Sequence, residues 1–170
     1  MSILDVCCGS NPVGTTNIDL YLGYSPHRSG FLDPAAIPDF HQVDVTKGLP
    51  FPDASFDVVF CKDGLEHVGS KPQKTNPAAY ALLREMFRVS KRRVEIYVPH
   101  RLSLSNCERR FWRRQHNSFF NLAWFERSIP KIEAELDLSI SALYELRYKP
   151  LIGYFFMMPD EIHMEAVVNR

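Results

Sequence analysis

Near the N-terminus, residues 3–12 read ILDVCCGSNP and residues 16–20 read TNIDL. The first run predicts a buried strand followed by a tight turn of small residues, and the second predicts a strand that ends near the carboxylate of Asp19. Gly9 would let a ligand approach the backbone of the turn, because glycine has no Cβ atom. An acid at the end of a second parallel strand can accept hydrogen bonds from a ribose. The stretch therefore predicts a nucleoside site, with a ligand-free tight turn as the alternative.

The spacing between these two features excludes a helix. Nine residues lie between Gly9 and Asp19, and they include Pro12 and Gly14. So short a segment with two helix breakers cannot hold a three-turn helix and two loops. The glycine-rich dinucleotide fingerprint is also missing, which makes an NAD-binding oxidoreductase the weaker interpretation.

Length and composition predict one domain. The 170 residues carry a formal net charge of zero and 45% hydrophobic residues, so no overall charge favours nucleic acid or membrane. We expect residues 1–100 to form a cofactor-binding half and residues 101–170 a substrate-covering segment with terminal β segments. No N-terminal leader is visible, the apolar run 151–158 is too short for a membrane span, and we expect a cytoplasmic location.

The cysteines give no metal-binding pattern. None of the four has a paired spacing typical of zinc sites, and we expect reduced thiols and no bound metal. They are Cys7, Cys8, Cys61 and Cys107.

Strand and helix patterns alternate along the chain. Strands are predicted at 3–6, 16–20, 40–43, 56–61 and 93–98, with β segments at 141–147 and 161–168. Helices are predicted from 76 or 77 to 89, at 122–128 and at 130–136. Residues 21–39 form a predicted long loop with one helical turn at 33–36. This plan predicts layered α/β architecture.

Two blocks of residues resemble class I S-adenosylmethionine-dependent methyltransferases. The first is residues 3–19, although Cys7 stands where that family usually has a glycine. The second is residues 40–68, where Asp44 follows the third strand and LEHV occupies residues 65–68. The chain resembles a shortened subgroup that lacks the helix after the first motif. The resemblance implies a Rossmann-like, mostly parallel, twisted sheet of about seven strands, with the last strand antiparallel and helices reduced on one face.

The resemblance also implies a set of residues that contact S-adenosylmethionine. Asp19 would bind the ribose, Asp44 the adenine amino group and Val45 the adenine ring, while Cys61 and Lys62 would lie beside the methionine part. Asp44 could equally be a simple turn residue. The full predicted set is Asp5, Cys7, Cys8, Gly9, Ser10, Asn11, Pro12, Asp19, Leu20, Asp44, Val45, Cys61 and Lys62.

Three residues are candidates for proton transfer to or from the methyl acceptor. His67 lies in the LEHV motif, His116 precedes an aromatic pair in a pattern similar to one found after strand five in the same group, and Asp63 follows strand four. Either histidine could instead be structural. Methyl transfer mainly requires alignment, and a base is needed only if the acceptor must lose a proton.

The methyl acceptor is open between a small molecule, RNA and protein. One basic cluster interleaved with aromatic residues would suit RNA, or its arginines could pair with acids such as Glu108 on a solvated helix. The four arginines are Arg109, Arg110, Arg113 and Arg114. A methyltransferase is the leading function, and a catalytically inactive methyltransferase-like binding module is the alternative.

One expectation concerns the sheet face that the missing helices would cover. Strands four and five are predicted to be buried on both faces, so an uncovered face would expose on the order of 500 Å² of apolar surface. The loop 21–39 would cover part of it, and a second copy of the chain or a partner protein would cover the rest.

Overall fold

A computed structural model describes residues 1–9, 11–20, 34–69, 76–103, 116–151 and 156–170. It contains one seven-stranded sheet with the order β3-β2-β1-β4-β5-β7-β6. The strands are β1 (Ile3–Val6), β2 (Thr16–Asp19), β3 (Phe40–Gln42), β4 (Phe56–Lys62), β5 (Ser90–Pro99), β6 (Ser139–Leu151) and β7 (Phe156–Asn169).

The first five strands are parallel, and β7 pairs antiparallel with both β5 and β6. The predicted fold class is therefore confirmed. The predicted strand positions are confirmed too, with β6 and β7 extending several residues beyond the predicted segments. Strands from both halves of the chain share this one sheet.

Helix α1 (Pro77–Val89) begins at a capped N-terminus. The side chain of Asn76 accepts hydrogen bonds from the backbone N–H groups of Ala78 and Ala79, and Pro77 occupies the first helical position, where a missing N–H costs nothing. Its apolar stripe, which includes Leu83 and Phe87, is fully buried against the sheet. This helix confirms the predicted one.

Helix α2 (Leu122–Leu136) corrects the prediction of two helices broken before Pro130. The structure has one continuous helix with Pro130 inside it. The proline lacks the N–H that would bond to the carbonyl of Glu126, but its ring lies on the exposed side of the helix. Burial of Phe125 and Ile132 on the opposite side holds the two halves in line, so packing outweighs the local preference.

Both α-helices pack on the same face of the sheet, where a single core forms. It takes alternate residues from each strand, such as Leu4, Val59, Val94 and Ala166, which the strand pairings align in one row. Among the described residues, the other face has no α-helix on it. Reduction of helices to one face is thus confirmed.

The residues on the opposite face of β5 contradict the expectation that this strand is buried on both sides. Val94, Ile96 and Val98 all point into the core, whereas the alternate positions carry partly exposed polar side chains. Alternation of apolar and polar residues is what a strand covered on one face shows. The predicted large apolar surface is therefore absent from this strand.

Charged and aromatic side chains occupy that face instead. The rings of Tyr97 and His163 stack with their centroids 4.2 Å apart, and the Tyr97 hydroxyl donates to Glu95 at 2.8 Å. Arg147 lies over the Tyr97 ring and pairs with Glu161 at 3.0 Å. These groups tolerate water, so this part of the face, around β5 and β7, needs no apolar cover.

Candidate active site

The candidate site lies where the parallel strands end. The carboxyl ends of β1, β2, β3 and β4 lie side by side, and open α/β sheets bind their ligands at this edge. Three connecting segments meet there: the turn after β1, a 3-10 turn at Val45–Lys47 after β3 and another at Leu65–His67 after β4.

The turn after β1 has a conformation that favours glycine at two positions. Cys7 has φ +59° and Gly9 has φ +55°, both in the left-handed region that costs a side chain about 1–2 kcal/mol. The family's usual glycine at position 7 is thus explained by the backbone, and Cys7 adopts the same conformation with strain. An added Cβ at Gly9 would meet nothing within 4 Å, so this backbone is open to a ligand.

Asp19 ties the turn to the end of β2. Its Oδ2 accepts the backbone N–H of Gly9 at 2.9 Å. A carboxylate has about four lone-pair positions, so this bond leaves capacity for the hydroxyl groups of a ribose. The carboxylate that the sequence predicted for the ribose therefore lies directly beside the glycine turn.

Asp5 supports the turn from inside the sheet. Its side chain is 2% exposed, and Oδ2 accepts the backbone N–H of Val13 at 2.9 Å. Burial, with a smaller contribution from the nearby charge of Asp19, raises the pKa of Asp5 to about 6. Asp5 thus organises the connection to β2 from beneath.

That connection runs so close to the sheet that only glycine fits at position 14. A Cβ there would clash with the carbonyl oxygen of Thr16 and would lie 2.8 Å from the backbone nitrogen of Asp5. The amide of Asn17 holds the segment by bonding Gly14 and the carbonyl of Pro38. In the described part of this segment there is no helix, as the spacing predicted.

Asp44 is a capping residue of the 3-10 turn after β3. Its Oδ1 accepts from the backbone N–H and the hydroxyl of Thr46, at 3.1 and 2.6 Å. These bonds, with help from nearby Lys47, lower the pKa of Asp44. A groove of about 400 Å³ lies next to it, lined partly by Gln42, Val43 and Gly48. Asp44 is thus a turn residue in the local structure, and its predicted contact with adenine stays a prediction.

Three thiols surround the inner part of the turn. Burial and the nearby charges of Asp19 and Asp5 raise the pKa of Cys8 to about 12, and a hydrogen bond with Cys7, together with burial, raises the pKa of Cys61. A Cβ on Gly64 would lie about 3 Å from both Cys7 Sγ and Cys61 Sγ, which shows how closely β1 and β4 approach. Cys8 and Cys61 are therefore protonated at neutral pH and act as buried packing groups.

The structure brings together two histidines that are far apart in sequence. The ring centroids of His67 and His116 are 4.8 Å apart in an edge-to-face arrangement. Glu66 adds a buried carboxylate, 3.8 Å from His67 Nε2. Sequence analysis missed Glu66, since an acid next to a histidine in a short turn gives no sign of its burial.

Asp63, the third catalytic candidate, lies apart from this pair. It is exposed, and its backbone N–H donates to the carbonyl of Tyr97 at 3.0 Å. Its negative charge is one of those that raise the pKa of Lys149, whose direct partner is Asp160. Asp63 therefore faces the C-terminal strands.

The remaining predicted residues fall into three groups. Asn11, Leu20 and Lys62 are exposed at the same strand edge, while Pro12 is half-buried there. Val45 is half-buried and packs against the core. Ser10, Cys107 and most of the loop 21–39 lie outside the described residues, as do the arginines Arg109, Arg110, Arg113 and Arg114.

Comparison with known proteins agrees with this geometry. Residues 17–98 match a family described as a methyltransferase domain. This match and the solved structures described next support the resemblance to class I S-adenosylmethionine-dependent methyltransferases. No curated protein sequence matches the chain significantly.

Solved methyltransferase structures share the fold at low sequence identity. An S-adenosylmethionine-dependent methyltransferase from Archaeoglobus fulgidus has a TM-score of 0.67 at 11% identity, over 97% of this chain and 85% of that one. One from Mesorhizobium loti has a TM-score of 0.62 at 13% identity, over 98% and 90%. Magnesium protoporphyrin IX methyltransferase from Synechocystis PCC 6803, solved with bound S-adenosylmethionine, has a TM-score of 0.52 at 15% identity, over 98% and 69%.

These likenesses confirm the expected family, fold and, at the level of the family, cofactor. In the described residues, no helix is long and apolar enough to cross a membrane.

Proposed function

We propose that the chain transfers the methyl group of S-adenosylmethionine to an acceptor, as an enzyme of the one-carbon transferase class. The observation that supports this most is the pairing of the open Gly9 turn with the Asp19 carboxylate at 2.9 Å. A nucleoside needs both features, a backbone it can approach and an acceptor for its ribose hydroxyls.

The residues at the strand ends would divide the ligand between them. Asp19 would hold the ribose, the groove beside Asp44 and Val45 the adenine, and the backbone of Cys61 and Lys62 the methionine part. Bound S-adenosylmethionine supplies a methyl group on a sulfonium, whose C–S bond breaks as the acceptor attacks and whose electron pair stays on sulfur. The protein's task is chiefly alignment.

His67 and His116 lie together beyond the end of β4, on the side expected for the acceptor. Either imidazole could take a proton from an acceptor that must lose one. Loss of activity in His67→Ala and His116→Ala with unchanged cofactor affinity would support this role.

Calorimetric titration with S-adenosylmethionine, S-adenosylhomocysteine and NAD tests the proposal. We expect the first two to bind, and Asp19→Ala to weaken them by about 1.5–3 kcal/mol, which is the usual effect of losing hydrogen bonds to a charged acceptor. Asp39→Ala is the matched control, because that exposed acid lies at the opposite, amino end of the strands. Absence of binding by the parent protein refutes the proposal, and binding without turnover for any acceptor indicates an inactive binding module.

RNA binding tests whether the methyl acceptor is RNA. If the acceptor is RNA, replacing Arg109, Arg110, Arg113 and Arg114 should abolish RNA affinity and its salt dependence while cofactor binding stays unchanged. Parent protein that retains no oligonucleotide at low salt would leave a small molecule or protein as the acceptor.

We also propose a cytoplasmic location for the protein, as the sequence analysis expected.

We also propose that a second copy of the chain, or a partner protein, binds the open face of the sheet. Because the face is charged, such an association should weaken as salt rises. Light scattering at micromolar concentration measures it, and a monomer at low salt contradicts it.

A further inference from the structure

Glu66, His67 and His116 form a cluster of metal-ligating groups. One ligand atom from each lies within 4.8 Å of the other two. Ligands that bind a common ion at about 2.0–2.2 Å lie roughly 3–4.4 Å from one another, so small side-chain adjustments would complete a site. The donor set, two imidazoles and one carboxylate, suits divalent first-row transition ions such as Zn²⁺.

Burial places two of the three side chains beneath the surface and leaves the third exposed. Glu66 is 1% exposed and His116 is 3% exposed, whereas the His67 side chain is 42% exposed. An ion held by these groups would be reached from the His67 side. Three protein ligands leave at least one coordination position open, the arrangement of catalytic rather than structural metal sites.

Hydrogen bonds fix the two segments that supply the ligands. The backbone N–H groups of Asn117 and Ser118 both donate to the carbonyl of Glu66, at 2.7 and 3.1 Å. The Asn117 amide donates to the carbonyls of His67 and Gly69.

A second amide reinforces the same junction from the start of α1. Asn76 Nδ2 donates to the Val68 carbonyl at 2.7 Å and to the Ser118 hydroxyl at 2.6 Å. The ligand-bearing turns are therefore held together by hydrogen bonds from backbone N–H groups and from the amides of Asn117 and Asn76, which limits the movement of the three ligands.

We propose that Glu66, His67 and His116 bind a divalent first-row transition ion whose open position takes an oxygen atom of the methyl acceptor. The second part rests on the proposed methyl transfer and identifies the acceptor as a hydroxyl compound. With both imidazoles bound to the ion, neither would act as the proton acceptor. The ion would instead make the hydroxyl proton easier to lose to solvent, and the oxygen would form its bond to the methyl carbon as the C–S bond breaks. This differs from the sequence expectation that no metal is bound.

Metal titration of chelator-treated protein tests the site directly. We expect Zn²⁺ to bind with one-to-one stoichiometry in calorimetry, and Co²⁺ to give a visible d–d absorption that Zn²⁺ displaces. Affinity should fall at least tenfold in His116→Ala and in Glu66→Gln. His67→Ala is added because its exposed side chain can be removed with little risk to folding, which circular dichroism would check.

His41→Ala is the matched control, since that exposed histidine pairs with Asp39 at the other end of the sheet. Absence of one-to-one binding, or affinity unchanged in both His67→Ala and His116→Ala, overturns the proposal; the latter outcome would show adventitious binding elsewhere. S-adenosylmethionine titrated into metal-free protein separates the two proposals: if it binds while Zn²⁺ does not, only the metal site is refuted.

Discussion

Replacement of Asp5 by asparagine should stabilise the protein at neutral pH. The carboxyl group is buried and its pKa is raised to about 6, chiefly by burial. The folded state therefore holds the proton more tightly than the unfolded chain, whose aspartate has a pKa near 3.8. The stability that this group contributes is fully present below pH 3.8 and is lost as pH rises through 6.

The size of the effect follows from the shift. A difference of about two pKa units corresponds to roughly 3 kcal/mol, a large share of a typical domain's 5–15 kcal/mol. The oxygen of an asparagine amide can still accept the N–H of Val13, while the charge is gone. Because the new NH₂ group must also be accommodated, we expect Asp5→Asn to gain about 1–3 kcal/mol at pH 7.5 and almost nothing at pH 4.

Urea denaturation of the ligand-free protein at pH 4, 5, 6 and 7.5 measures this. Asp57→Asn is a control of opposite sign, because hydrogen bonds from the Ser2 backbone and hydroxyl lower the pKa of Asp57. That variant should lose stability at neutral pH and converge with the parent in acid. If Asp5→Asn is no more stable than the parent at pH 7.5, or follows the same pH dependence, the carboxylate is not desolvated as we infer.

Three further substitutions probe the backbone. Gly14→Ala should cost about 2–3 kcal/mol by urea denaturation, because its Cβ would meet backbone atoms that cannot rotate away. Gly9→Ala, with open space around its Cβ, should cost only the strain of its left-handed backbone, about 1–2 kcal/mol; a loss at Gly14 no larger than that at Gly9 would contradict the close approach at Gly14. Pro130→Ala should stabilise α2 by about 1–2 kcal/mol, since an exposed proline in the helix interior loses a hydrogen bond that alanine restores. A lower denaturation midpoint for that variant would mean that the proline ring makes contacts that we have not recognised.

The sequence by itself determined the local elements and the edge of the sheet at which we propose that the cofactor binds. The strands, the start of α1 at Asn76 and the helix-free connection between Gly9 and Asp19 could be predicted. Each depends on interactions within a few residues of the chain. The positions of Asp19 and Cys7 beside the glycine turn followed directly from strand order.

Only the tertiary structure decided which groups lie together and which face water. The continuous helix across Pro130, the polar outer face of β5 and the burial of Asp5 each depend on neighbours supplied by distant segments. Glu66 and His67 meet His116 because bonds from Asn117 and Asn76 close two turns separated by about fifty residues. Local propensity and periodicity carry no information about such partners, since burial and electrostatic environment arise from packing rather than from sequence spacing.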